Sequence, residues 1–123
     1  MLKNFLLVGL GGALGSMLRY ATSLLISFKS FPFATLTINI AGSFIIGLVL
    51  AFSLKDEAFL NNWKLFLATG LCGGFTTFSA FSAENVVLLQ NEKYLLALLY
   101  IVISIIAGIA AAWLGFSLVT NNK

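Results

Sequence analysis

The stretch GLCGGFTTFSAFSA, residues Gly70–Ala83, decides how this chain folds. It lies inside a long apolar segment, yet three glycines lower its helix propensity and four Ser/Thr hydroxyls would be penalised in lipid. Irregular backbone at membrane depth is tolerated only where it is buried in protein or lines a watery cavity. The stretch therefore predicts a spanning helix broken near its middle, at a candidate ion or substrate site. A kinked packing helix, whose small residues let a neighbour approach, is the alternative that this stretch alone leaves open.

The composition is that of an integral membrane protein. Of 123 residues, 60% are hydrophobic and only 9% are charged, and the mean hydropathy is +1.04, whereas a soluble domain is about a quarter charged. The net charge of +3 comes from scattered residues, which argues against nucleic-acid binding, since that needs clustered Lys and Arg. Cys72 is the single cysteine and cannot form an intramolecular disulfide. Histidine is absent from the sequence, so the commonest metal ligand and acid–base group is missing.

Four apolar segments are long enough to span a bilayer, which takes about 20 residues. They run from about 5–28, 33–54, 63–89 and 94–119. The connections are short, so we predict an all-α membrane protein, with residues 1–123 forming one channel domain of four transmembrane helices. Lys3 followed by an apolar run is also typical of a signal peptide, but no small-x-small cleavage site closes that run.

Four spans place both termini on the same side of the membrane. By this topology, the terminal side carries Lys3, Lys55, Lys64 and Lys123, and the opposite side carries Lys29 and Lys93. This bias is a weak signal for a cytoplasmic N-terminus, and it also suits a chain that inserts in both orientations. Four helices are too few to enclose a wide pore, so we expect a homo-oligomer with sites at or near the subunit interface.

The first span combines a packing motif with a charge. Gly11 and Gly15 form a GxxxG pair, which is typical of a helix face that packs closely on another helix. The run is not a dinucleotide-binding fingerprint, because the third glycine would fall at Leu14 and no βαβ context surrounds it. An arginine inside a membrane helix marks a function or a structural ion pair by default, and snorkelling to the interface is the alternative for Arg19.

Polar side chains share one face of the second span. Thr35, Asn39 and Ser43 are spaced i, i+4, i+8 and so lie on one helical face. The amide of Asn39 offers donors and an acceptor, and near the bilayer centre it must find a partner or line a polar path. An interhelical hydrogen bond that only holds helices together is the alternative.

The third span places Phe78, Phe81, Ser82 and Asn85 on one face. Phenyl ring edges carry partial positive charge and can face an anion, although core packing is the alternative. A broken helix adds free N–H groups, which favour anions, and free C=O groups, which can hold a cation. Glu84 lies near the far end of this helix, either as an interfacial carboxylate or as the partner of a basic residue.

The fourth span places Tyr100, Ser104 and Gly108 on one face. Across all four spans, the polar atoms at membrane depth are mostly hydrogen-bond donors: an amide, hydroxyls, free N–H groups and the guanidinium of Arg19. Glu84 is the only carboxylate candidate for a proton relay. This inventory favours a small, strongly hydrated anion, because such an ion needs many donors to replace its water.

Three segments carry a resemblance to a known family: GGALGSMLRY (Gly11–Tyr20), TLTINIAGSFIIG (Thr35–Gly47) and GLCGGFTTFSAFSAEN (Gly70–Asn85). They resemble the CrcB/Fluc fluoride channel family, which the fourth span matches only through Tyr100 and Ser104. The resemblance implies a passive fluoride-selective channel, not an enzyme, that lets toxic cytoplasmic fluoride leave across the inner (plasma) membrane. It also implies a dual-topology antiparallel homodimer in the bilayer, with two fluoride pathways and a sodium ion at the dimer centre.

The resemblance also implies roles for individual residues. Its fluoride-pore positions are Asn39, Phe78, Phe81, Thr35, Thr77, Ser79, Tyr100 and Ser104. Arg19 and Glu84 match structural or pore-end charges. The backbone carbonyls of Gly73 and Thr76 match the sodium ligands.

The chain departs from the family pattern at two positions. Ala80 stands where threonine is common, and Gly108 stands where some members have serine, so hydroxyl contacts at these two places are not expected. Two rival functions fit the sequence less well. A small four-helix multidrug exporter relies on a carboxylate in its first helix, where this chain has Arg19 and no acidic residue. A non-transporting assembly subunit held by GxxxG faces would leave Asn39 and the Phe/Thr/Ser run unexplained.

Overall fold

Long helices joined by short connections make up the described chain. A computed structural model describes residues 1–27 and 30–122, and only the backbone of Asn62. The described residues contain helices and no strand. The helices are α1 Leu2–Leu25, α2 Phe33–Lys55, α3 Glu57–Lys64, α4 Gly73–Phe75, α5 Phe78–Gln90 and α6 Tyr94–Thr120, with a π-helical segment Leu65–Cys72 between α3 and α4.

Four helical spans are long and apolar enough to cross a membrane. They are Leu2–Leu25, Phe33–Lys55, Leu65–Gln90 and Tyr94–Thr120. The predicted bounds are within three residues of these wherever they fall on described residues. The predicted end of the first span, Phe28, lies outside the described residues, as do Lys29 and Lys123 of the charge comparison.

The connection between the second and third spans is itself helical, which the sequence reading did not predict. Asp56 is the N-cap of α3, and its Oδ1 accepts hydrogen bonds from the backbone N–H groups of Ala58 at 2.8 Å and Phe59 at 3.2 Å. An aspartate that bonds the first free N–H groups stabilises the start of a helix. The ring of Phe59 packs on Phe52 of α2 with centroids 5.7 Å apart, which fixes α3 against the end of the second span.

Helix α1 packs along the π-helical segment and α4. Gly11 and Gly15 are buried at this contact. A methyl group at Gly11 would lie 2.9 Å from the backbone nitrogen of Leu71, and one at Gly15 would lie 2.8 Å from that of Phe75. Both distances are shorter than real Cβ contacts, so only glycine allows the two backbones to approach this closely. The packing role predicted for the GxxxG pair is therefore confirmed.

Helix α2 packs along α6 by the same device. A methyl group at Gly47 would lie 3.0 Å from the backbone nitrogen of Phe116, and one at Gly115 would lie 3.1 Å from that of Leu48. Where both helices end, the amino group of Lys55 donates to carbonyl oxygens in the last turn and C-terminal tail of α6. A cation at a helix C-terminus interacts favourably with the helix dipole. The four spans thus form two close pairs.

The hairpin of α5 and α6 holds the most buried aromatic side chain. Tyr100 is fully buried in a cluster with Leu88 and Ala97. In contrast, large apolar side chains such as Ile109 and Trp113 on α6 are exposed. Outward-facing apolar residues on spanning helices are what lipid contact requires, so the exposed surface agrees with a multi-pass membrane protein.

Candidate functional site

The third span is interrupted at Thr76 and Thr77, which have extended backbones with φ/ψ of −78°/155° and −151°/118°. The hydroxyl of Thr76 donates to the carbonyl of Cys72 at 2.8 Å, and the Thr76 N–H donates to the same oxygen at 2.9 Å. The hydroxyl of Thr77 accepts from the N–H of Ala80 at 3.1 Å and so caps α5. Threonine hydroxyls that bond the preceding turn bend helices and compete with their continuation. The predicted break is confirmed.

The glycines of this stretch lie before the break and serve packing. The backbone stays helical through Gly70, Gly73 and Gly74. A methyl group at Gly70 would lie 2.9 Å from the Cα of Gly11 on α1, and one at Gly74 would lie 3.0 Å from the Cα of Gly12. Gly73 differs, because a methyl group there would meet nothing closer than 3.9 Å and its face of the helix is open.

Asn39 spans from α2 to the break. Its Nδ2 donates to the carbonyl oxygen of Thr77 at 3.1 Å, and its Oδ1 accepts from the Thr77 N–H at 2.9 Å. Among the described residues, the break leaves the N–H and the carbonyl oxygen of Thr77 without helical partners, and the Asn39 side chain bonds both of them. Asn39 was predicted either to find a partner or to line a polar path, and these contacts show the partner, as an interhelical hydrogen-bonded pair.

An open cleft of about 400 Å³ lies beside this pair, between α2 and the interrupted span. Its lining is mostly apolar, with the polar groups concentrated at the break. The lining residues are Asn39, Gly42, Ser43, Ile46, Ala68, Cys72, Gly73, Thr76, Thr77 and Phe78. The cleft thus brings the predicted hydrogen-bond donors Asn39 and Thr77 together with Gly73 and Thr76, whose carbonyl oxygens were predicted to bind sodium.

Glu84 accepts two hydrogen bonds from neighbouring spans. The hydroxyl of Thr35 donates to its Oε1 at 2.5 Å, and the hydroxyl of Tyr100 donates to its Oε2 at 3.0 Å. Hydrogen bonds to a carboxylate are short and strong because the acceptor is charged. Of the two roles predicted for Glu84, partnership with a basic side chain is not what the described residues show. They show a carboxylate held by two hydroxyls.

A second cavity, of about 370 Å³, continues from the break towards Glu84. Its lining residues are Ser16, Arg19, Tyr20, Ser23, Thr35, Ile38, Thr77, Ala80 and Glu84. Thr77 lines both this cavity and the cleft on α2. The two spaces therefore border the same residue of the break, Thr77.

Three aromatic rings follow one another beside the break. The rings of Phe78 and Phe81 have centroids 5.6 Å apart, and Phe81 meets Tyr100 at 5.0 Å with an interplanar angle of 61°. The second pair is an edge contact, the arrangement that ring quadrupoles prefer. Phe78 is 78% exposed and Tyr100 is fully buried, so the series leads from the open surface of the chain into its core.

Arg19 is tied to the interrupted span. Its Nε donates to the carbonyl oxygen of Gly74 at 3.1 Å. This carbonyl belongs to the last turn before the break, and a cation at the C-terminal end of a helix interacts favourably with the helix dipole. The predicted fixed role of Arg19 is therefore supported on the structural side, and the guanidinium also borders the second cavity.

At membrane depth the site has many hydrogen-bond donors and few negatively charged side chains. Among the described residues, no group of three His, Cys, Asp or Glu side chains could hold a metal ion. The carbonyl oxygen of Thr76 accepts no hydrogen bond from the described residues. A carbonyl oxygen suits a hard cation, whereas the amide and hydroxyl donors suit an anion.

Comparison with known proteins agrees with this chemistry. A family model described as CrcB-like protein, Camphor Resistance (CrcB), matches residues 6–116. The chain belongs to the CrcB family.

Relatives of this CrcB chain match it along nearly its whole length. It is 50% identical over 121 residues to the fluoride-specific ion channel FluC of Azobacteroides pseudotrichonymphae, a match covering 96% of this chain and 97% of that protein. It is 49% identical over 117 residues to the protein of the same name from Flavobacterium psychrophilum, covering 93% and 94%. It is 48% identical over 114 residues to FluC 2 of Rhodococcus jostii, covering 92% and 96%.

Except for Ser79 and Ser104, the pore positions taken from the CrcB resemblance line the cleft or the second cavity or belong to the aromatic series. Ser79 is exposed, and its hydroxyl lies 3.1 Å from that of Thr77. The Ser104 hydroxyl is buried with no hydrogen-bond partner among the described residues. Ser104 lines neither the cleft nor the second cavity, so within this CrcB chain it stands apart from the other polar positions.

Among the cleft residues that were not predicted site residues, Gly42 and Ser43 lie nearest in sequence to Asn39. A methyl group at Gly42 would collide with the side chain of Thr76 and lie 3.4 Å from the ring of Phe75, so Gly42 makes room for the break. Ser43 lines the cleft one turn beyond Asn39. The shared face of Asn39 and Ser43 was a usable signal for the serine. No sequence signal distinguishes Gly42 from other packing glycines.

Proposed function

We propose that this CrcB-family chain is a fluoride-selective passive channel that lets cytoplasmic fluoride leave the cell. The observation that carries the proposal is the break at Thr76–Thr77, where two spaces border Thr77 among amide and hydroxyl donors. The curated relatives named as fluoride-specific ion channels support the choice of ion. The protein is a multi-pass protein of the cell membrane, and the proposed pore has no chemical step.

Fluoride is small and strongly hydrated, so a pore must replace its water with donors. A hydrogen bond to a charged group is worth about 1.5–3 kcal/mol, so several donors together are needed. Asn39 and the hydroxyls of Thr77 and Ser79 supply donors at the break. The edges of Phe78 and Phe81 add a weaker attraction through their partial positive charge.

Farther along, Thr35, Tyr100 and Ser104 are the remaining proposed pore hydroxyls. Two of them donate to Glu84, which spreads the negative charge of that carboxylate over its donors. We propose that this arrangement lowers the repulsion that an isolated carboxylate would cause.

We propose that the working unit is an antiparallel, dual-topology homodimer. Ser79 and Gly73 are exposed on a membrane-spanning segment, and polar groups at this depth are expensive in lipid. Covering by a second copy would remove them from lipid. Two chains inserted in opposite orientations also agree with the weak Lys bias between the two sides.

A sodium ion at the dimer centre belongs to the same proposal. The residues that would hold it are Gly73 and Thr76, through their carbonyl oxygens. The Thr76 carbonyl, which accepts no hydrogen bond from the described residues, and the open face of Gly73 support this role. When bound, the ion would supply fixed positive charge between two interrupted helices.

Fluoride efflux from liposomes tests the proposal. Purified protein is reconstituted into liposomes loaded with potassium fluoride, valinomycin is added, and efflux is followed with a fluoride electrode, with chloride-loaded liposomes as the control. We expect rapid fluoride loss without chloride loss. No fluoride loss from well-folded protein would contradict the channel and bring forward the assembly-subunit alternative.

Asn39→Asp provides the first residue-level test in the same assay. We expect suppressed fluoride efflux, because a carboxylate repels the anion and places an oxygen where Nδ2 now donates to Thr77. Wild-type efflux from folded Asn39→Asp protein would remove Asn39 from the pathway.

A further inference from the structure

The orientation of the Asn39 carboxamide is fixed by the backbone of a single residue. Thr77 presents an N–H to Oδ1 at 2.9 Å and a carbonyl oxygen to Nδ2 at 3.1 Å. An asparagine amide has a donor end and an acceptor end that differ little in shape. Here each end faces its complementary peptide group, so the assignment of the two ends follows from the hydrogen bonds themselves.

Turning the amide by 180° would reverse both contacts. Oδ1 would then face the Thr77 carbonyl oxygen, and Nδ2 would face the Thr77 N–H. Two hydrogen bonds would be replaced by two contacts between like groups, and partly buried polar groups left without partners are costly. The pair at Thr77 therefore holds the amide in one orientation.

This orientation decides what Asn39 can offer to an ion. Its acceptor Oδ1 is occupied by the Thr77 N–H, whereas Nδ2 carries a second hydrogen that the Thr77 carbonyl does not use. Asn39 lines the open cleft. The residue can thus present a donor to the cleft while its acceptor, which would repel an anion, is engaged elsewhere.

We propose that the peptide groups of Thr77 act as a positioning clamp that makes Asn39 a donor of fixed orientation in the pathway. Thr77 is available for this because it is extended at the break, and a residue inside a continuous helix would have its N–H bonded to the preceding turn. The break therefore exposes the groups that orient the amide. The effect of the clamp on fluoride permeation rests on the proposed channel function. The hydrogen bonds between Asn39 and Thr77 do not depend on it.

Amide exchange of Thr77 tests the geometry without fluoride. The backbone amide of Thr77 is followed by NMR in fluoride-free buffer in the wild type, Asn39→Leu and Ser43→Ala. Ser43 is the matched control, because it lies one turn away on the same cleft and, in the part of the chain that the structure describes, its side chain makes no hydrogen bond to the break. We expect exchange at Thr77 to accelerate about tenfold or more in Asn39→Leu, roughly the factor for losing a buried hydrogen bond, and to stay unchanged in Ser43→Ala. Equal exchange in all three proteins would overturn the clamp.

A backbone ester tests the consequence and leaves every side chain in place. Replacing Thr77 by its α-hydroxy acid analogue removes the N–H that anchors Oδ1 and also turns the preceding Thr76 carbonyl into a weaker ester carbonyl, as the control ester does to its own preceding carbonyl. The matched control is the hydroxy acid analogue of Val86, which removes an ordinary helical N–H of α5. We expect the ester at 77 to reduce fluoride efflux about tenfold or more, as one lost orienting hydrogen bond allows, and the ester at 86 to retain most of it.

The outcomes separate this inference from the proposed function. Wild-type efflux with the ester at 77 would overturn the clamp and leave the channel standing. Absence of fluoride efflux in the unmodified protein would end the channel proposal, and the Thr77 exchange rates would still decide the geometry. If Asn39→Leu fails to fold, the ester variant carries the test.

Discussion

Alanine at Gly15 tests the close packing of α1 on the interrupted span. A methyl group there would lie 2.8 Å from the backbone nitrogen of Phe75 and closer still to the carbonyl oxygen of Leu71. Ordinary contacts begin at 3.4 Å, so the helices must separate by more than half an ångström. The opposing atoms are backbone and cannot rotate away.

The magnitude follows from two opposing effects. Overpacking costs about 1–3 kcal/mol, and the rigid backbone neighbours place Gly15→Ala in the upper part of that range. Alanine gains about 0.5–1 kcal/mol over glycine inside a helix. We therefore expect a net loss of about 1–2 kcal/mol, with reduced fluoride efflux because Phe75 adjoins the break.

Two matched substitutions on the same helix isolate the packing effect. A methyl group at Gly9 would meet nothing within 4 Å, and one at Gly12 would make an ordinary contact at 3.9 Å. The free energy of unfolding is measured for all three alanine variants by equilibrium denaturation in mixed micelles, together with efflux from liposomes. We expect Gly9→Ala and Gly12→Ala to match or exceed the wild type. If Gly15→Ala is as stable and as active as Gly9→Ala, the packing argument is wrong.

Three further substitutions separate packing, polar support and permeation. Gly115→Ala should destabilise the fold by about 1–3 kcal/mol, because a methyl group would lie 3.1 Å from a backbone nitrogen of α2, whereas Gly108→Ala, with an ordinary 3.6 Å contact, should not; equal denaturation curves would refute this. Tyr100→Phe should cost about 1–3 kcal/mol in the same measurement, because Glu84 loses one of its two donors; an unchanged value would show that water replaces the phenol. Ser104→Ala should leave stability unchanged or slightly higher, because its buried hydroxyl has no described partner, while fluoride efflux falls; unchanged efflux would remove Ser104 from the proposed pathway.

Much of the architecture was readable in the sequence because hydropathy acts locally. The long apolar runs predicted the four spans, and the GxxxG pair of Gly11 and Gly15 predicted a close contact between helices. The region of the break was predicted as well, but its position was not. The stretch 70–83 predicted an interruption without assigning it to a residue, and the structure keeps the backbone helical through Gly74 and interrupts the helix at Thr76. Glycine propensity is overridden by packing against α1. At the break, the Thr76 hydroxyl bonds the preceding turn, the Thr77 hydroxyl caps α5, and the Asn39 amide bonds both peptide groups of Thr77.

The candidate site was predictable in its residue types and less so in its pairings. Asn39 was expected to need a partner, but nothing in its spacing identifies the peptide groups of Thr77. Glu84 was left between two roles, and the structure gives it Thr35 and Tyr100 from two other spans. Such partners are 49 and 16 residues away along the chain, and local periodicity carries no information at that separation.

By itself, the sequence determined that the chain is a four-span membrane protein with a donor-rich, interrupted third span. The reason is that lipid cannot hydrogen-bond polar groups, so a spanning segment must be helical and its polar groups must face protein or a water-filled space. The tertiary structure alone decided that α1 pairs with the third span and α2 with α6, and that the break opens at Thr76–Thr77. It also decided that the Asn39 amide is held by Thr77. These outcomes depend on the register at which two backbones approach within contact distance, and that register is set by all the helices packing together.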